Sequence, residues 1–126
     1  MSGWKLWLDD QCHDPFAPER HAPKGFIAAA SFGEAVDQVL LRGLPDMMDL
    51  DHDLGADADG TPRDAMEFLR WLEDQANSWM DELDTAFTPP PKWNIHSANP
   101  VGRDNMESFL KDWEKEPERY DAAVTS

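Results

Sequence analysis

Met47-Met48-Asp49-Leu50-Asp51-His52-Asp53-Leu54-Gly55 is a short apolar run that ends in charge. Three carboxylates and an imidazole fall within five residues, and a glycine follows. Burying such a cluster is costly unless it holds a cation, a proton or a ligand. Two other strand-like runs, Trp7-Leu8-Asp9-Asp10 and Trp93-Asn94-Ile95-His96-Ser97-Ala98-Asn99, also pass from apolar to polar residues at their ends. The expectation is that the three ends meet.

The rest of the chain supplies the elements between these ends. Residues 4–8 alternate apolar side chains and predict a first strand, with Asp9 and Asp10 at its C-terminal end. Residues 11–24 carry Pro15, Pro18 and Pro23 with no apolar period, and predict an irregular loop of functional length. Residues 25–30 give a weak second strand, because Ala28-Ala29-Ala30 has poor strand propensity. Ser31 and Glu34 fit a capping box, and Phe32, Ala35, Val36, Val39 and Leu40 follow as one helical stripe that Gly43 stops. Residues 46–53 form the third strand, and the small acidic stretch 55–60 forms a loop. Thr61-Pro62 starts the next helix, whose stripe is Ala65, Phe68, Leu69, Leu72 and Ala76, extended by Trp79, Met80 and Leu83. Thr88 and the three prolines after it end that helix. Residues 92–98 read as a fourth strand closed by Asn99-Pro100. The loop through Gly102 leads to a last helix with Met106, Phe109, Leu110 and Trp113 on its stripe. Residues 1–115 make one domain, and 116–126 a charged tail.

Strands alternating with helices predict an α/β fold with a mostly parallel sheet of about four strands. In such sheets ligands bind beyond the C-terminal ends of the strands. All three polar clusters lie at such ends. Neighbouring strands run roughly 4.8 Å apart, so adjacent clusters reach one ion or one small ligand.

These motifs bring a known family into view. Asp9-Asp10, Leu50-Asp51-His52-Asp53-Leu54-Gly55 and His96-Ser97-Ala98-Asn99-Pro100-Val101-Gly102, with Asn105-Met106 following, resemble the cyclic-phosphate processing receiver-like domain. That family is related to the receiver domains of two-component response regulators. The resemblance spans about residues 4–115 and implies a receiver-like three-layer sandwich that processes cyclic phosphates of nucleotides or RNA ends. It also implies that Asp9 and Asp10 hold a divalent ion with Asp51, which matches the receiver phosphoacceptor, and that Ser97 sits where receivers carry Ser or Thr. Two departures point away from phosphorelay. The receiver's fifth strand, with its lysine, has no match, and His52 and His96 have no receiver counterpart.

Each candidate residue has a functional and a structural reading. Asp9, Asp10, Asp51 and Asp53 are metal-ligand candidates, because clustered carboxylates repel unless a cation or proton intervenes. Mg²⁺ or Ca²⁺ suits an all-oxygen site, and Mn²⁺ or another transition metal becomes the better fit if His52 or His96 joins. Otherwise Asp51 and Asp53 only cap a loop. His52 and His96, with Asp51, are the catalytic candidates, since imidazole transfers protons near neutral pH; the alternative is a pair of structural histidines. Ser97, Asn99 and Asn105 either orient a phosphate or cap the last helix. Arg103 either meets a phosphate oxygen or forms a surface ion pair. His13 and His21 lie in the proline-rich loop. Trp4, Trp7 and Trp93 pack on the sheet, unless one ring at the rim stacks a base.

Composition narrows the partners. The net charge is −15, from 26 acidic and 11 basic residues. That excess opposes non-specific contact with nucleic-acid backbone or an anionic membrane. A small nucleotide or RNA-end substrate then needs a metal or a local Arg or Lys to offset the field, and a protein partner is the alternative. Cys12 is the single cysteine, and the N-terminus has no apolar run with a cleavage site, so the expected compartment is the cytoplasm.

Overall fold

The computed structural model describes residues 3–54, 64–83, 89–97 and 99–115. The expectations for the 55–60 loop, Thr61-Pro62, Thr88, Ala98 and the tail beyond 115 lie outside those residues, as do the side chains at 79–83. Four strands form one parallel sheet: β1 (Lys5–Leu8), β2 (Phe26–Ala29), β3 (Met47–Leu50) and β4 (Lys92–Ile95), in the order β2-β1-β3-β4. Three helices, α1 (Phe32–Arg42), α2 (Ala65–Leu83) and α3 (Pro100–Glu114), complete a receiver-like α/β sandwich. A single 3-10 turn, Pro18–Arg20, interrupts the loop between β1 and β2.

Side chains alternate between the faces of a strand, and that alternation separates core from site. Leu6, Leu8, Ala29, Met48, Leu50 and Ile95 join residues of all three helices in one buried cluster, among them Val39, Phe68, Leu72, Leu110 and Trp113. The other sheet face carries Trp7, Asp49 and Asn94. There the 9–25 segment, not a helix, supplies cover: the Trp7 indole N–H donates to the Arg20 carbonyl at 2.8 Å. The weakly predicted β2 is real because Ala29 is fully buried and Leu8 pairs with it in the ladder, which outweighs alanine's poor strand propensity.

Helix boundaries follow their caps. Ser31 Oγ accepts from the Glu34 N–H at 3.1 Å, while the Glu34 carboxylate accepts from Ala30 N at 3.3 Å, one residue before the box's usual partner. Gly43 ends α1 at φ 85°, a conformation that side chains resist. Leu40 departs from the expected stripe and is 58% exposed. At 3.6 residues per turn it lies about 80° around from Phe32, at the edge of the buried face. α2 spans Ala65–Leu83, with Asp64 Oδ1 accepting from Glu67 N at 3.0 Å. α3 begins at Pro100, before Gly102: Asn99 is its N-cap and Pro100 its first residue, so this pair opens a helix and does not merely close a strand.

We predict that Phe68→Ala lowers the unfolding free energy by about 3–5 kcal/mol. Leu40→Ala should change it by less than about 0.5 kcal/mol, despite its place in the same sequence pattern. Urea unfolding of both variants checks this, and comparable losses would contradict the assignment of faces.

Candidate active site

Register assembles the site. Leu8 pairs with Leu50, and Leu50 with Ile95, so the next residues on the three strands, Asp9, Asp51 and His96, share one row. The ladder runs on into that row through Asp51 N to Leu8 O at 2.8 Å and His96 N to Leu50 O at 2.9 Å. Two residues back, Trp7, Asp49 and Asn94 share the row beneath and, by the strand's period of two, the same face.

Asp9 is fully buried, and Asp51 nearly so. Asp9 Oδ1 accepts from Gln11 N at 2.8 Å, and Asp51 Oδ1 accepts from its neighbour His52 N at 2.9 Å. Both remaining oxygens take one guanidinium. Arg20 donates from Nε to Asp9 Oδ2 at 2.6 Å and from Nη2 to Asp51 Oδ2 at 2.7 Å. Burial pushes the Asp51 carboxyl above the ordinary 3.8, and the Asp9 charge adds to that, with Arg20 working the other way. Burial and then Asp9 likewise raise Asp10.

His96 is fixed from three sides. Its Nδ1 meets Asp49 Oδ1 at 2.6 Å, and its Nε2 meets Asp9 Oδ2 at 3.1 Å. Its ring lies flat on Trp7, with centroids 4.1 Å apart and planes 4° from parallel. Asn94 Nδ2 also donates to Asp49, which holds that carboxylate toward the ring.

A family model for the cyclic-phosphate processing receiver domain matches residues 4–112. The chain belongs to this family. No curated protein and no solved structure matches it.

In this receiver domain the second histidine stands apart from the first. His52 Nδ1 pairs with Asp53 Oδ1 at 2.8 Å, and its Nε2 lies 3.7 Å from Asp64 Oδ2. The start of α3 packs against the ring at Gly102. A Cβ there would lie within 2.6 Å of His52 Cγ, Cδ2 and Nδ1, so only glycine permits this approach. The Asn99 side chain holds Gly102 in place by accepting from its N–H at 3.1 Å.

The candidate ligands divide. Asp9, Asp10 and Asp51 each place a carboxylate oxygen within 4.8 Å of the other two, a spacing that suits a hard divalent cation. Asp53 is outside that group; its carboxylate is mostly exposed and engaged by His52. Ser97 is buried and accepts from Asn99 N at 3.1 Å, so Ser97 and Asn99 both shape the start of α3. Asn105 is exposed on α3. Arg103 pairs with Glu107 one turn on at 3.4 Å, the surface ion pair of its structural reading. His13 meets Glu34 at 3.0 Å, and His21 meets the Asp14 carbonyl at 2.6 Å. The Cys12 thiol is pushed up to about 11, first by burial and then by Glu34 and Asp9, so it stays protonated at neutral pH.

Three site residues had been given no part in the site: Arg20, which lies outside the quoted runs, and, inside them, Trp7 as the stacking partner of His96 and Asp49 as its anchor. Period-two alternation was signal enough for Asp49 and Trp7, which share a face with Asp51 and Asp9. Arg20, in an irregular loop, had no periodic signal.

A carboxyl raised in the fold binds its proton more tightly there than in the unfolded chain. Its stabilising contribution is full below the ordinary 3.8 and is lost as pH rises through the raised folded value. Asp51→Asn should therefore gain on the parent as pH rises from acid to neutral in urea unfolding with EDTA, and a pH-independent difference would contradict it. Gly102→Ala should move the His52 ring, read as shifted imidazole NMR resonances of His52 with those of His96 retained. Unchanged His52 resonances would show the contact to be dispensable.

Proposed function

We propose that this domain is a phosphodiesterase-type hydrolase that opens a cyclic phosphate of a nucleotide or RNA end with the help of a divalent ion. The observation that carries the reading is His96, clamped between Asp49 and Asp9 on the face of Trp7 beside an acidic ion pocket. A structural histidine does not need two carboxylates and a stacked indole at a sheet edge where ligands bind. The Asp49 contact fixes the ring and aims Nε2 into the pocket, as carboxylate–histidine pairs do.

Asp9, Asp10 and Asp51 would hold the ion, and their oxygens fit Mg²⁺ or Mn²⁺. The ion supplies charge to polarise the phosphate. The chain's own histidines move the protons. One takes a proton from the attacking water as the new P–O bond forms. The other gives a proton to the ring oxygen as the old P–O bond breaks, leaving a phosphomonoester and a free hydroxyl. Ser97, Asn99, Arg103 and Asn105, on the loop and first turns after β4, would form the rim toward the substrate, in addition to the helix-start and ion-pair contacts that Ser97, Asn99 and Arg103 make. The substrate is small, since a charge of −15 disfavours an extended nucleic-acid backbone.

A second reading is a non-catalytic module that binds a partner protein or small ligand through the same face. The presence of Arg20 in the acidic pocket favours it, because a guanidinium already neutralises those carboxylates.

The test is ³¹P NMR of the full chain with cyclic nucleotides and cyclic-phosphate RNA ends, in EDTA, Mg²⁺ and Mn²⁺. We predict metal-dependent ring opening that falls on the order of a hundredfold or more in His52→Ala and in His96→Ala. Full activity in both variants would refute their roles, and no turnover in any sample would favour the binding module.

A further inference from the structure

The acidic pocket already holds a cation, and it belongs to the chain. Each of the two buried carboxylates gives one oxygen to a backbone N–H and the other to Arg20. Asp9 Oδ2 also faces His96 Nε2. A divalent ion held by Asp9, Asp10 and Asp51 would compete with Arg20 for the carboxylates of Asp9 and Asp51. It carries twice the charge of the guanidinium and would stand next to it, so the two repel.

We propose that Arg20 is an exchangeable internal cation: it neutralises Asp9 and Asp51 until a divalent ion displaces it. This inference rests on the metal reading given above. Exchange needs little motion. The Arg20 side chain is already about a third exposed. Its backbone is held separately, by the Trp7 indole on its carbonyl and by its N–H on the Ala17 carbonyl at 2.9 Å. A rotamer change thus frees the carboxylates without unfolding the loop. The exchange also improves the charge balance. Three carboxylates with one guanidinium leave two negative charges, whereas three with a divalent ion leave one. The stack of Trp7 on His96 connects the loop that carries Arg20 to the imidazole, so the ion site and the proton-transfer group share one support.

A pocket that is competent only while Arg20 is away has its apparent affinity reduced by that fraction. Mn²⁺ binding, followed by the EPR signal of the free ion, should therefore be about tenfold tighter or more in Arg20→Gln than in the parent chain. Equal or weaker binding by the variant overturns the exchange. Mg²⁺ titration of the unaltered protein gives a second readout that does not depend on the variant's folding. The Arg20 Nε–H NMR resonance, set by its short bond to Asp9, should move as the ion binds, and an unmoved resonance at saturating Mg²⁺ also overturns it. Failure of both proteins to bind Mn²⁺ or Mg²⁺ at millimolar concentration would instead refute the metal reading on which the exchange rests.

Discussion

Two aspartates that end adjacent parallel strands cannot both lie buried and charged unless a cation lies between them. Arg20 is that cation here, with one guanidinium nitrogen on Asp9 and another on Asp51. Much of the site geometry answers to this requirement. The register of β1 against β3 brings the carboxylates together, and the backbone N–H groups of Gln11 and His52 satisfy their outer oxygens. The loop between β1 and β2 has to return over the sheet edge to deliver Arg20. It does so through a single 3-10 turn that Pro18 opens. Trp7 holds the end of that turn by its indole N–H, and the same ring carries His96.

His96 is the candidate proton-transfer group because its surroundings are more specific than packing requires. The row containing Asp9 and Asp51 supplies one carboxylate to the ring, and the row beneath supplies Asp49 and the indole. His52 is arranged by different means, with Asp53 beside it and the glycine of α3 against its ring. Two histidines with independent supports at one sheet edge suit a reaction that moves a proton on and another off. Membership of its family associates the domain with cyclic-phosphate processing. No helix among the described residues is long and apolar enough to cross a membrane.

Much of this was legible in the residues. The strands announced themselves by alternation and by the polar residues that follow each apolar run, and even the alanine-rich β2 formed where it was expected. The Ser31 cap and the Gly43 stop bounded α1 correctly because capping is local chemistry. The start of α3 was misplaced because Asn99-Pro100 ends a strand and opens a helix equally well, and only the Asn99–Gly102 bond distinguishes the two. Leu40 misled because an i+8 position sits at the margin of a stripe. In the site, Asp9, Asp10, Asp51 and His96 followed from strand ends, whereas Asp53 turned to its neighbour His52. Arg20 was not legible because a contact made by an irregular loop has no period, and sequence spacing says nothing about where such a loop returns.

The direct measurement is a double-mutant cycle between Arg20→Gln and Asp51→Asn, read by chemical unfolding at neutral pH in EDTA. Removing Arg20 strands the buried charges of Asp9 and Asp51, and removing Asp51 as well leaves only that of Asp9. If Arg20 is the cation that makes the buried acids tolerable, the second substitution offsets part of the loss from the first. The coupling should then exceed about 1 kcal/mol. Losses that simply add would mean that the guanidinium does not neutralise the pocket, and the account of the site built around it would be wrong.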